Sequence, residues 1–248
     1  MPSPAIAFAI ESIRVIDHDG DAPHVAIPRP EIDLLFRFGP AAPQGIDAHA
    51  FGARERVHRK IVRGVRRVLS ARIRLGATEA VLGTPASAIA GRVVAVEDLW
   101  GTAATRPLFD RLVATADARD AAQILDDAIA AHLTRANRSE GSLALDAAGQ
   151  LRSTPNVSAV ADGLGVSERH LRRVFKDAFG LGPKTFAKLA RFDRALRAAR
   201  EDHRAGWASI AATAGYYDQA HLIAEFRAIA GATPRALLGE LRDAASIA

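Results

Sequence analysis

Between Val157 and Ile229 one pattern occurs twice: a short apolar helix, a glycine turn, and a second helix introduced by a capping side chain. In the first copy Val157, Val160, Ala161 and Leu164 fall at i, i+3, i+4 and i+7, the spacing that lines one face of a helix. Gly163-Leu164-Gly165 closes that stripe, and Ser167 has the short hydroxyl side chain suited to an N-cap. The helix it would start carries Leu171, Val174, Phe175, Ala178 and Phe179 on one side and Arg169, Arg172, Arg173 and Lys176 on the other. In the second copy Ser209–Ala214 is the short helix, Gly215 the turn, and Asp218 the cap of a helix bearing Leu222, Phe226 and Ile229. Between them Lys184–Arg200, delimited by Gly180 and Pro183, turns Phe186, Leu189, Phe192, Leu196 and Ala199 inward. Two helices joined by a glycine-bearing turn, the second apolar on one face and cationic on the other, make a helix-turn-helix.

Charge follows the same geography. The 248 residues carry a net charge of +5, but Glu168–Arg204 alone holds eleven basic and five acidic side chains. The surplus is therefore local, and the remainder is slightly acidic. A pI near 10.2 permits a polyanionic partner. A cationic helix face alone reads as solvated surface. On the second helix of such a unit, arginines reach phosphates or the O6 and N7 of guanine. Lys188, Arg191 and Arg197 on the connecting helix divide between phosphate contacts and solvent.

Residues 1–138 read differently. Ile6–Ile16, Ile32–Phe38 and Val65–Leu75 are strand-forming runs separated by turn residues at Asp17–Asp21, Gly39-Pro40 and Gly45. Helices are expected from Thr84-Pro85-Ala86-Ser87, over Pro107–Ala116, and over Ala118–Leu133, where Ile124, Leu125, Ile129 and Leu133 keep helical spacing. The polar run Thr134–Gly141 sets a boundary between 1–138 and 139–248. The expected class is α+β: a β-rich half with flanking helices, then an all-α half of about seven helices with units near 157–179 and 208–230 and a connecting helix near 184–200. With 49% apolar and 25% charged residues the chain can build a sizeable core.

At this level of detail the second half resembles a known family. Ser167–Lys176 (Ser-Glu-Arg-His-Leu-Arg-Arg-Val-Phe-Lys) and Gly180–Lys184 are similar to the first half of an AraC/XylS-type DNA-binding domain. Gly215–Arg227 (Gly-Tyr-Tyr-Asp-Gln-Ala-His-Leu-Ile-Ala-Glu-Phe-Arg) and Gly231–Pro234 are similar to its second half. The resemblance implies two units entering successive major-groove segments of double-stranded DNA, held apart by the connecting helix. Through Thr84–Ser87 and Leu99–Gly101, the first half resembles the sensor or dimerisation region that precedes this domain in a subset of these regulators. It implies RNA polymerase as a partner, a possible small-molecule effector and homodimer, and a lean towards activation.

The resulting expectation is a sequence-specific transcriptional regulator. Arg169, Arg172 and Arg173 are assigned to base edges and Lys176 to phosphate. Gln219, Ala220, Ile223, Ala224 and Arg227 line the second unit, and Ser167, Lys188, Arg191 and Asp218 are weaker phosphate contacts. Ile223 and Ala224 depart from the polar or basic residues often found at groove-facing positions, so thymine-methyl contact replaces hydrogen bonding there. The second helix then positions more than it reads.

Other chemistry finds little support. There are no cysteines, so disulfides, thiolate metal sites and a cysteine nucleophile are excluded. None of the eight histidines forms a metal-binding pair spacing, and Asp17-His18-Asp19-Gly20-Asp21 has its glycine too early for a calcium loop. Ser70, Ser87, Glu31, Asp33, Glu97 and Asp98 show no nucleophile–base spacing. No catalytic residue, metal or cofactor is expected. Trp100 and Trp207 read as core residues, with Trp100 alternatively lining a pocket. The longest early apolar run, Ala5–Ile10, is too short to span a bilayer, and the expected location is cytoplasmic. Two other readings stay open: an ungated DNA-binding module whose first half only dimerises, and an enzyme fused to a DNA reader.

Overall fold

Alternation along Ile32–Phe38 (β3) sends Ile32, Leu34 and Phe36 into the core and Asp33, Leu35 and Arg37 to the other face. Its neighbours obey the same parity. Arg67–Ile73 (β6) opposes Ile73 to Ile32, Ala71 to Leu34 and Leu69 to Phe36, while Ile46–Phe51 (β4) opposes Ala50 to Leu34 and Ala48 to Phe36. Ile10–Asp17 (β1) and Val93–Ala95 (β7) complete an antiparallel sheet of order β1-β6-β3-β4-β7. Ala22–Ala26 (β2) and His58–Val62 (β5) form a separate two-stranded ribbon. The computed structural model describes residues 2–18, 20–40, 42–133, 138–154, 156–202 and 205–246.

The apolar sheet face is covered by Thr78–Leu82 (α1), Ala86–Ile89 (α2), Val96–Trp100 (α3), Thr102–Ala114 (α4) and Ala118–His132 (α5), which share one core with Phe36, Leu69 and Ile73. Trp100 belongs to that core: its indole N–H donates to the Val81 carbonyl at 3.0 Å and its ring stacks on His132. The opposite face is polar, with Arg37 on Asp47 (2.7 Å) and Arg72 on Asp33 (2.9 Å). The second half is helical: Arg138–Ser153 (α6), Val157–Gly163 (α7), Glu168–Phe179 (α8), Pro183–Glu201 (α9), Trp207–Ala214 (α10), Gln219–Ala230 (α11) and Pro234–Ser246 (α12). The chain is thus α+β, an antiparallel β-rich half followed by a helical half.

Local expectations need several corrections. The first strand begins at Ile10 instead of Ile6, and the third run is paired only over Arg67–Ile73. The helix expected over Pro107–Ala116 starts five residues earlier, at Thr102, where Gly101 in a positive-φ conformation turns the chain. Pro107 then sits inside α4, lacking the N–H that would bond the carbonyl four residues back. Gly141 falls within α6 and not at the end of a linker. Thr134–Asn137 of the expected boundary lies outside the described residues, as do Asp19, His203 and Arg204.

The two halves share surfaces. Ala53 is buried in the core of α9–α12, with Val25, Ile27 and Val57 packed beside it. The Val57 N–H donates to the Ile229 carbonyl at the end of α11 (2.9 Å), and Arg59 on β5 forks onto Glu240 on α12 (2.6 and 3.2 Å). On the other unit, the Ser87 hydroxyl on α2 donates to Asp177 on α8 at 3.0 Å. Gly180 ends α8 with φ of +71°, and a β-carbon there would lie 2.9 Å from the Ala86 carbonyl oxygen. Only glycine lets α8 end against α2.

Candidate nucleic-acid interface

Each unit is framed by caps that its sequence supplies. Asn156 starts α7 by accepting from the Ala159 N–H (3.2 Å), and Ser167 starts α8 by accepting from the His170 N–H (3.2 Å). Asp218 does the same for α11 at the His221 N–H (2.7 Å). Gly165 and Gly215 make the turns with φ of +68° and +85°. Both units therefore have defined entry points for their second helices.

On α8 the inner face is Leu171, Val174, Phe175 and Phe179, all buried. Phe175 meets Phe179 at 4.6 Å and Phe186 of α9 at 5.2 Å between ring centroids, which locks α8 to the connecting helix. Arg169, Arg173 and Lys176 are exposed. Arg172 is half-buried and bonded to Glu168 one turn earlier, while Arg173 lies 3.8 Å from Asp177. The four basic residues thus share one helix, flanked by the two carboxylates Glu168 and Asp177. Those acids hold the guanidinium groups along the surface in the absence of a polyanion.

On α11 Leu222, Phe226 and Ile229 point inward, and Gln219, Ala220, His221, Ala224 and Arg227 are exposed. Ile223 is half-buried against the domain core, so its contact surface is smaller than the sequence implies. Tyr217, immediately before the cap, is 93% exposed. Sequence reading passed over it because a tyrosine beside a buried tyrosine looks like core. The signal was its position, one residue ahead of the cap of a second helix.

The connecting helix α9 is tied to both units. Arg191 forks onto Glu225 of α11 (3.2 and 2.6 Å) and lies over the Tyr216 ring, with side-chain exposures of 17% for Arg191 and 6% for Glu225. Burial pushes the Tyr216 phenol well above its ordinary range, and the Glu225 carboxylate adds to the rise. Arg191 is therefore committed to its own fold, unlike the expected outward cation. Sequence reading missed Glu225 as its partner because 34 positions separate them. Arg194 also works inward, donating to the Ala214 carbonyl at the end of α10 (3.0 Å) and to the Arg152 carbonyl at the end of α6. Lys188 is half-buried, and Arg197 pairs with Asp193 on the same helix.

Among the described residues no group of acidic and histidine side chains could hold a metal ion, and no helix is long and apolar enough to cross a membrane. What the site can do chemically is present exposed cations and small side chains from two capped helices.

Residues 160–240 match a family described as a helix-turn-helix domain. No curated protein matches the chain. Among solved structures, a DNA-binding transcriptional dual regulator from Escherichia coli K-12 aligns at 18% identity over 45% of this chain and 96% of its own, with a TM-score of 0.35. ToxT from Vibrio cholerae O395 aligns at 8% identity over 92% and 96%, with a TM-score of 0.43. Unsaturated fatty acid bound ToxT from Vibrio cholerae aligns at 6% identity over 96% of each chain, also at 0.43.

Proposed function

We propose that this chain, whose residues 160–240 match a helix-turn-helix domain family, is a transcriptional regulator of the AraC type that binds double-stranded DNA sequence-specifically through both units and is gated through its first half. The observation that carries the reading is the pair of capped second helices, α8 and α11, each with an exposed face. Phosphate contacts supply salt-dependent affinity, and base contacts supply choice. Arg169, Arg172 and Arg173 read base edges, with Arg172 exchanging Glu168 for DNA. Lys176, Ser167 and Lys188 meet phosphates, whereas Asp218, an anionic acceptor like the phosphate itself, serves as the cap of α11 and not as the phosphate contact expected of it. Gln219, Ala220, Ala224 and Arg227 line the second groove segment, Ile223 adds a partial apolar contact, and Tyr217 joins them as a contact to the sugar-phosphate edge. Arg191 acts as a positioning residue.

Two successive major-groove segments lie about 34 Å apart, so a monomer covers a long site and a short connecting helix favours bent DNA. Gating is supported by the first half touching both units, through α2 on α8 and through Val57 on α11. An effector, contact with RNA polymerase and activation belong to the same proposal.

The test separates reading from positioning. Arg173→Ala is expected to weaken binding to the preferred site by about 1–3 kcal/mol and relax preference at one base pair. Lys188→Ala is expected to weaken all duplexes alike and reduce the salt slope. Equal losses on every sequence for both variants, measured by fluorescence anisotropy, would refute the division of labour.

A further inference from the structure

A second basic run lies outside the helical half. Arg54–Arg67 holds seven lysine and arginine side chains against the single acid Glu55. An average over the first half hides it, because acids elsewhere in 1–138 cancel the surplus. The run passes through β5, so its charge is displayed on the two-stranded ribbon. His58 and Lys60 share one face of β5, His24 of β2 stands directly opposite Lys60, and all three are exposed.

Two of the cations are committed to the fold. Arg59 is bonded to Glu240 of α12 and Arg67 to Asp17, at 2.6 Å each, so these anchor the run. Arg56, also exposed, and Lys60 have no bonded carboxylate among the described residues. Asp47, the acid that acts on Lys60, already accepts two bonds from Arg37 (2.7 Å each). Lys60 lies over the Phe51 ring, 5.5 Å from its centroid, and Arg54 approaches the same ring at 4.7 Å. Partial burial lowers the Lys60 ammonium below its ordinary range, and Arg37 and Arg54 lower it further. His24 and His58 are pushed down in the same way, with Lys60 acting on the first and Arg54 on both. On α8 the arginines have acids beside them; here cations crowd cations, a repulsion that a polyanion relieves.

The ribbon is joined to the second reading helix. The bond from the Val57 N–H to the Ile229 carbonyl puts Arg56 at the end of α11. Ile229 follows the exposed Arg227 by two residues and precedes Arg235, exposed in the first turn of α12, by six. From Arg56 onward β5 extends the basic row over about 17 Å, at roughly 3.3 Å per residue. A small anion answers one or two such groups, whereas a row of this length is matched by a row of fixed negative charges. Duplex DNA offers one phosphate charge per roughly 1.7 Å of axis.

We propose that the β2–β5 ribbon is a third DNA contact, in which Arg56 and Lys60 meet phosphates of the duplex just beyond the segment held by α11. Arg54 stands behind them and adds to the local potential. The contact lengthens the site without adding base choice, and it makes the first half part of the DNA-binding surface. This inference rests on the proposed DNA reading.

The experiment is fluorescence anisotropy of the full chain and of its Arg56→Gln, Lys60→Gln double variant. The probes are the shortest upstream duplex that keeps full sequence preference, and the same duplex lengthened at either end by about one helical turn. Lengthening at one end alone is expected to tighten binding of the parent by about tenfold or more and to steepen its log–log salt slope by about two. The double variant should lose both gains, match the parent on the short duplex, and melt at the same temperature. No gain from either extension would overturn the ribbon contact, as would a gain that survives in the double variant or an equal loss on the short duplex. Unchanged DNA binding with capture of poly-glutamate by the parent alone would assign the ribbon to an acidic protein and overturn it too. A parent that binds the short duplex selectively but gains nothing from length sinks only the ribbon contact. A parent that binds no duplex sinks the DNA reading and this contact together.

Discussion

Glu225→Ala is expected to cost the folded chain about 3–5 kcal/mol, because it strands the Arg191 guanidinium in a place where its own side chain is only 17% exposed. The carboxylate it removes is 6% exposed and accepts two hydrogen bonds from that guanidinium. Urea denaturation gives the loss as a shift in midpoint at constant slope. Arg191→Met combined with Glu225→Leu should recover most of the stability, since replacing a buried pair by packed apolar groups is often neutral or better. DNA affinity should recover less if the pair sets the angle between α9 and α11. A loss under about 1 kcal/mol for the single variant would mean the pair behaves as a solvent-screened surface bridge.

Phe175→Ala acts on the other unit and is expected to cost about 3–5 kcal/mol, the range for emptying a buried aromatic site. Phe175 is 0% exposed and edges against both Phe179 and Phe186, so its loss opens a cavity between α8 and α9. The neighbours cannot close it easily. Phe186 is held from below by Arg152, and Phe179 is followed at once by Gly180, pinned against Ala86. Specific DNA binding should fall along with stability, because the face bearing Arg169 and Arg173 is backed by this inner face. Full retention of site-specific affinity at saturating osmolyte would contradict that coupling.

Most of the helical half was legible because its signals are local. Ser167 and Asp218 cap within three residues, Gly215 turns within one, and the stripe Val157, Val160, Ala161 marks a buried face without reference to anything distant. The first half was less legible for the same reason. The ribbon of β2 and β5 carries Pro23, His24, His58, Arg59 and Lys60, a polar composition without an apolar run, and exists only because the two strands pair across intervening β3 and β4. Likewise β4 hides its alternation behind alanines at positions 48 and 50. Pro107 suggested a helix start, whereas Gly101 provides the turn and Thr105 bonds back to the Gly101 carbonyl (3.1 Å). At the interface, the stripe of arginines was legible from spacing, but their partners were not. Glu168 and Asp177 were read as charge to be counted and not as the groups that Arg172 and Arg173 lean on. Interdomain placement was wholly illegible: nothing local announces that Val57 donates to Ile229 or that Gly180 must be small to sit under Ala86.

The most direct test of the central claim, that this chain reads DNA through two units, is fluorescence anisotropy on duplex from upstream of its own gene and on a scrambled duplex, each at two salt concentrations. The account predicts tighter binding to the upstream duplex, a steep fall with salt on both, and loss of selectivity when only one major-groove segment is kept. Equal affinity for both duplexes, or full selectivity on a duplex too short to offer the second segment, would contradict it.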